Sequence, residues 1–184
     1  MNAAGQCMRK TSRTSRLMLN QKAKTPSRAR QQRAAMSSKQ PITYIDVRAS
    51  AHATEDQLKV QAAIQNLLSP VEPPSPIVFH KTNCLGHYGN PIVLFTAKLT
   101  DKNELPLILE RIGSRLSSLD RQELRDNLAL HQDKTNLYLR FDKQAAFQNL
   151  VKFSSTDPIH LRIHFKSIAQ DRIAELLKQK GLLP

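Results

Sequence analysis

Two segments alternate with a period of two, and they constrain this chain more than anything else in it. Leu137, Leu139 and Phe141 alternate with Tyr138, Arg140 and Asp142. Ile159, Leu161, Ile163 and Phe165 alternate with His160, Arg162, His164 and Lys166. Successive strand side chains point to opposite faces, so each segment is a strand with one apolar face and one wet face.

The rest of the chain supplies what would cover the apolar face. Ile42 to Arg48 reads as a strand, and a helix is expected to open at Thr54, where Thr54 and Gln57 have capping-box spacing. Leu58, Val60, Ala62, Ile64, Leu67 and Leu68 form its apolar stripe. Residues 70–76 hold four prolines and read as a stiff connection. Ile77 to Thr82 and Ile92 to Leu99 are expected strands, the latter apolar on both faces and so central. Helices are expected over 103–117, 119–130, 143–150 and 168–180, the last ended by Gly181. The order β-α-β-β-α-α-β-α-β-α predicts an α+β fold: a largely antiparallel sheet with helices packed on one face, a two-layer sandwich.

Charge divides the chain. The whole carries +13, but residues 1–40 contain ten Lys/Arg and no acid, which leaves +3 for residues 41–184. Residues 1–40 lack apolar periodicity and are expected to be a disordered basic N-terminal extension. Met36 opens a plausible chain of its own, so an alternative start there stays open, as does a transit peptide. Residues 41–184 are expected to be a single α+β domain. A balance this basic favours polyanionic partners, nucleic acid before membrane. No apolar run is long enough to span a bilayer. The two cysteines, Cys7 and Cys84, suggest no disulfide framework, so a cytoplasmic location is the default.

With helices on the apolar face, the opposite face would present Tyr138, Arg140, His160, Arg162, His164 and Lys166. Cationic groups attract phosphates, and flat aromatic or guanidinium planes stack unpaired bases. Three motifs add candidates. His52-Ala53-Thr54-Glu55-Asp56 precedes the first helix. Gly86-His87-Tyr88-Gly89-Asn90-Pro91 would form a shaped loop presenting His87, Tyr88 and Asn90. In Leu139-Arg140-Phe141-Asp142-Lys143-Gln144-Ala145-Ala146 a strand ends and a helix starts, with Asp142 as N-cap and Arg140, Lys143 and Gln144 near the sheet edge. The expected RNA-binding residues are therefore His52, His87, Tyr88, Asn90, Tyr138, Arg140, Lys143, Gln144, Arg162, His164 and Lys166.

In this order and spacing the three motifs resemble the archaeal RNA-binding domain proteins described as predicted exosome subunits. The resemblance runs from about Ile42 to Phe165. That family is similar in fold to the ribosomal protein that binds 5S rRNA, and the resemblance implies RNA binding and an archaeal cytoplasmic home. It departs at Phe147-Gln148-Asn149, where a glycine is expected.

Other chemistries fit less well. His80, Cys84 and His87 lack a fourth zinc ligand. Asp46, His52, Glu55 and Asp142 could build an acidic Mg²⁺ site only by converging, and helix starts and strand decoration already account for three of them. No phosphate-cradling loop or nucleophile elbow is present. The expectation is a non-catalytic RNA-binding protein without cofactor, an accessory factor in RNA processing, degradation or ribosome-related assembly. Its partners are RNA and a multiprotein RNA-processing complex. The alternatives are a protein-interaction module of an RNA machine and a metal-dependent RNA-processing enzyme.

Overall fold

The computed structural model describes residues 41–69, 76–166 and 170–184. The expected extension 1–40, most of the proline-rich connection and the start of the helix expected over 168–180 lie outside the described residues.

Six strands form one sheet: β1 (Ile42–Ala51), β2 (His80–Leu85), β3 (Pro91–Leu99), β4 (Gln132–Asp133), β5 (Asn136–Phe141) and β6 (Ile159–Phe165). Their spatial order is β2-β3-β1-β6-β5-β4, and every pair is antiparallel. The helices are α1 (Gln57–Leu68), α2 (Glu104–Arg115), α3 (Ser118–Asp126), the single turn α4 (Leu128–His131), α5 (Lys143–Phe147) and α6 (Gln170–Gln179). The fold is the expected α+β type.

The alternation places the core. Ile45, Val47 and Ala49 of β1, Leu137, Leu139 and Phe141 of β5, and Leu161, Ile163 and Phe165 of β6 are buried on one face. They join Ile64 and Leu67 of α1, Ile108 and Ile112 of α2, and Ile173 and Leu177 of α6 in one cluster. Burial of such side chains is worth about 1.5–3 kcal/mol each, so the register that keeps them inside is strongly fixed.

Several elements sit differently from expectation. The first helix begins at Gln57, and its cap is Asp56, which accepts from the Leu58 backbone N–H at 2.8 Å. Glu55 instead reaches back to the His52 backbone N–H at 2.9 Å, closing a turn ahead of the helix. Leu58 therefore lies in the first turn and points outward, 73% exposed. The second strand is shifted to His80–Leu85 and is a fully exposed edge. The third strand lies next to that edge, and the central positions belong to β1 and β6. The stretch expected as one helix over 119–130 divides at Asn127 into α3 and α4.

Candidate nucleic-acid interface

Antiparallel register sorts the wet-face residues into rows. Thr96, Arg48, His160 and Arg140 lie abreast on β3, β1, β6 and β5. The next row is Lys98, Asp46, Arg162 and Tyr138, and beyond it Tyr44, His164 and Asn136. Asp46 and Arg162, 116 residues apart in sequence, thus meet because β1 takes β3 on one side and β6 on the other.

The side chains of these rows hold one another in place. Arg162 Nη2 donates to Asp46 Oδ2 at 2.5 Å, and this hydrogen bond keeps the guanidinium pKa above its ordinary value. Tyr44 and His164 stack with ring centroids 4.7 Å apart. Lys98 Nζ sits 4.1 Å above the Tyr44 ring, a cation–π contact. His164 Nδ1 lies 2.9 Å from Asn136 Oδ1. His160 is exposed beside two guanidinium groups. Partial desolvation first, then the charges of Arg140 and Arg48, lower its pKa, against a smaller opposing effect of Asp157.

A groove of about 600 Å³ crosses this face. Leu94 lends it an apolar side chain, Ala49, Leu139 and Leu161 border it from strand positions whose side chains face the core, and its rim carries Arg48, Arg140, His160 and Arg162. Leu130, on α4 at the β5 edge, overlooks it and is 84% exposed. His131 on the same turn places Nδ1 3.0 Å from the Tyr138 carbonyl, which ties α4 to β5.

The expected site residues fall into two groups. Tyr138, Arg140, Arg162 and His164 share the wet face, and Lys166 follows β6 at one end of it, exposed. His52, His87, Tyr88 and Asn90 gather at the opposite end. There β1 finishes, and β3 and β6 begin. His87 and Tyr88 occupy the β2–β3 turn in edge-to-face contact, closed by a Gly86 N–H bond to the Asn90 carbonyl, with Tyr88 87% exposed. Gly89 has φ +74°, the left-handed conformation that this turn requires.

Lys143 is the exception. It was expected among the phosphate contacts, but it is only 8% exposed. Asp142 caps α5 by accepting from the Ala145 N–H at 2.7 Å, and this turns Lys143 inward. Its ammonium donates to the Ser50 carbonyl at 2.9 Å, to Glu55 Oε2 at 2.8 Å and to Asp157 Oδ2. An ammonium has three donors, and all three are taken. Gln144 is exposed on α5, which packs against α1 in the helix layer, away from the wet face.

Asp157 also accepts from Ser50 Oγ at 2.7 Å and lies 3.4 Å from His52 Nε2. Burial alone would raise its pKa. The hydrogen bonds from Lys143 and Ser50 and the charges of Lys143 and His52 outweigh that effect and lower it. His52, Glu55 and Asp157 are, among the described residues, the one group whose donor atoms lie close enough to hold a metal ion. Lys143 donates to both carboxylates, so the charge a cation would supply is already present. The other acids weighed for a metal site are engaged elsewhere: Asp46 pairs with Arg162 on the wet face, and Asp142 caps α5.

The sequence reading passed over Tyr44, Arg48 and Lys98 and weighed Asp46 only as a metal ligand or strand decoration. Their signal was available in part: Tyr44, Asp46, Arg48 and Ser50 alternate with Ile45, Val47, Ala49 and Ala51. A β-bulge between Ile42 and Tyr44 interrupts the alternation at its start.

These features define a class: an α+β protein whose open antiparallel sheet keeps one face apolar under helices and one face cationic toward solvent. A family model described as RNA binding matches residues 44–165. RNA-binding protein PAB1135 of Pyrococcus abyssi is 33% identical over 141 residues, covering 76% of this chain and 92% of that protein. The uncharacterized protein MJ0213 of Methanocaldococcus jannaschii is 31% identical over 108 residues, 58% of this chain and 72% of its own. The crystal structure of protein AF2318 from Archaeglobus fulgidus, of the DUF54 family, superposes with a TM-score of 0.62 at 27% identity, covering 76% of this chain and 99% of that one. The chain belongs to this RNA-binding family, whose relatives here are archaeal.

Proposed function

We propose that this protein binds RNA on the wet face of its sheet and acts as a non-catalytic accessory factor in RNA processing, degradation or ribosome-related assembly. The observation that carries this reading is the convergence of Arg48, Arg140, Arg162, His160 and Lys98 from four strands onto one surface. Scattered charges would suffice for solubility, whereas aligned rows match a phosphate backbone. The basic extension 1–40 ahead of the domain 41–184 adds phosphate contacts without choosing a sequence. The compartment is the cytoplasm. No helix among the described residues is long and apolar enough to cross a membrane. A multiprotein RNA-processing complex is the further partner that the resemblance to predicted exosome subunits suggests.

The test is the salt dependence of RNA affinity in the full chain, for wild type and for Arg48→Glu/Arg140→Glu. Each lost phosphate contact flattens the log–log slope by about 0.7 on single strands, so the double variant should lose about 1.4. An unchanged slope and affinity would mean that RNA is held elsewhere, by the extension alone.

A further inference from the structure

The ionisable side chains that line the groove on the wet face are basic except at one position. Asp46 is the only acid among its lining residues, set amid Arg48, Arg140, His160 and Arg162. An acid there opposes phosphate, and an ion pair on a half-exposed strand face adds little stability. What the pair does fix is orientation. Arg162 engages Oδ2, while among the described residues no hydrogen bond reaches Oδ1. An ionised carboxylate has about four acceptor sites, so most of its capacity remains. Tyr138 is the cross-strand partner of Arg162 and brings an exposed ring to the same groove, and Leu130 supplies an apolar wall.

We propose that this groove holds one unpaired guanine, with the Asp46 carboxylate accepting from its N1–H and its N2 amino group while the ring stacks on Tyr138. The proposal rests on the reading that RNA lies on this face, and it names the base held there. Guanine alone offers two adjacent donors on its Watson–Crick edge. Adenine and cytosine place an acceptor beside their amino group, and uracil flanks its single N–H with two carbonyls, so a carboxylate meets repulsion from each. In a duplex that edge is already paired, so the site takes single-stranded or looped RNA.

The test measures fluorescence anisotropy of the full-length protein with labelled uridine pentamers whose central residue is guanosine, inosine, adenosine, cytidine or uridine. Salt is raised until non-specific phosphate binding is weak. The central guanosine should bind tightest, by roughly tenfold over adenosine, as one good two-donor contact allows. Inosine lacks the N2 amino group and should fall between them. Asp46→Asn should erase the order across the five pentamers. If Asp46 serves only to neutralise Arg162, the same change strengthens every pentamer alike, and the inference fails. Equal affinities across the five in wild type overturn it as well, and that comparison needs no variant to fold. If the pentamers bind in a manner dependent on Arg48 and Arg140 but without base preference, only the guanine assignment falls. If binding ignores both arginines, the face itself is wrong and the guanine site falls with it.

Discussion

Lys143 Nζ lies 2.8 Å from Glu55 Oε2, joining the start of α5 to the turn before α1 across 88 residues of sequence. With Asp157 and the Ser50 carbonyl it completes a network at one end of the sheet. Lys143→Met would leave two carboxylates facing each other without their cation. Removing one partner of a fully buried pair costs about 3–5 kcal/mol, and these carboxylates keep some contact with water, so a loss of about 2 kcal/mol is expected. Urea denaturation reads it as a lower midpoint with an unchanged slope. The salt dependence of RNA binding should not move. A stable variant with a flatter RNA salt slope would instead put Lys143 on phosphate.

Asp157 makes the same network sensitive to acid. Its pKa is lowered in the folded protein, so its contribution is present above the ordinary value of 3.8 and is lost as pH falls through the lower folded value. Melting temperature should therefore drop more steeply below pH 3.8 in wild type than in Asp157→Asn. Parallel curves for the two proteins would show that the carboxylate carries no linked stability.

The sequence made the sheet legible and the network illegible, for one physical reason. Alternation is local, so Leu137 to Phe141 and Ile159 to Phe165 declared both their strands and their buried face. Whether Lys143 is wet or buried depends on Ser50, Glu55 and Asp157 meeting it through the tertiary fold, and no spacing encodes that. Asp157 adopts φ +42° in a loop with no motif to mark it. The cap of α1 was misplaced because Thr54 and Asp56 are both good caps, and Glu55 was free to bond His52 instead. The wet face was half read: Arg140 and Arg162 stood out, while Arg48 and Asp46 joined them only through the pairing of β1 with β6.

Asn149 takes the place of the glycine expected after the Ala145-Ala146 motif, and its φ of +62° shows why a glycine would suit. Asparagine tolerates the left-handed region and most other residues do not. Asn149→Ala should cost about 1 kcal/mol, and Asn149→Gly should match or exceed wild type in thermal melts. The Arg115 contact to Asn149 Oδ1 is long, at 3.5 Å, and contributes little. Equal loss in both variants would shift the weight to that contact.

Gly113 lets α2 approach the turn after α6. A Cβ there would lie 2.2 Å from the Lys180 carbonyl oxygen and 2.8 Å from the Gly181 carbonyl carbon, both backbone atoms. Alanine normally favours a helix interior over glycine by about 1 kcal/mol. Forced overlap with backbone costs about 1–3 kcal/mol, so Gly113→Ala should lower the melting temperature in spite of its helix propensity. A stabilised Gly113→Ala protein would show that the C-terminal turn can move aside freely.

His160 is expected to couple RNA binding to pH. It is flanked by Arg48 and Arg140, and its pKa in the free protein is lowered, first by desolvation and then by those charges. For the fold alone, the stability linked to its neutral form is fully present above the ordinary value of 6.5 and is lost as pH falls through the folded value. A phosphate seated between the two arginines reverses that environment, because an anion favours the imidazolium. Binding then takes up a fraction of a proton, and affinity should rise as pH drops from about 7.5 to about 5.5, by at most about tenfold per pH unit. Titrations of wild type and His160→Gln at constant ionic strength separate this histidine from His52, His87 and His164, which remain in both proteins. A flatter profile in His160→Gln places RNA phosphate beside the Arg48–His160–Arg140 row, and identical profiles remove it from there.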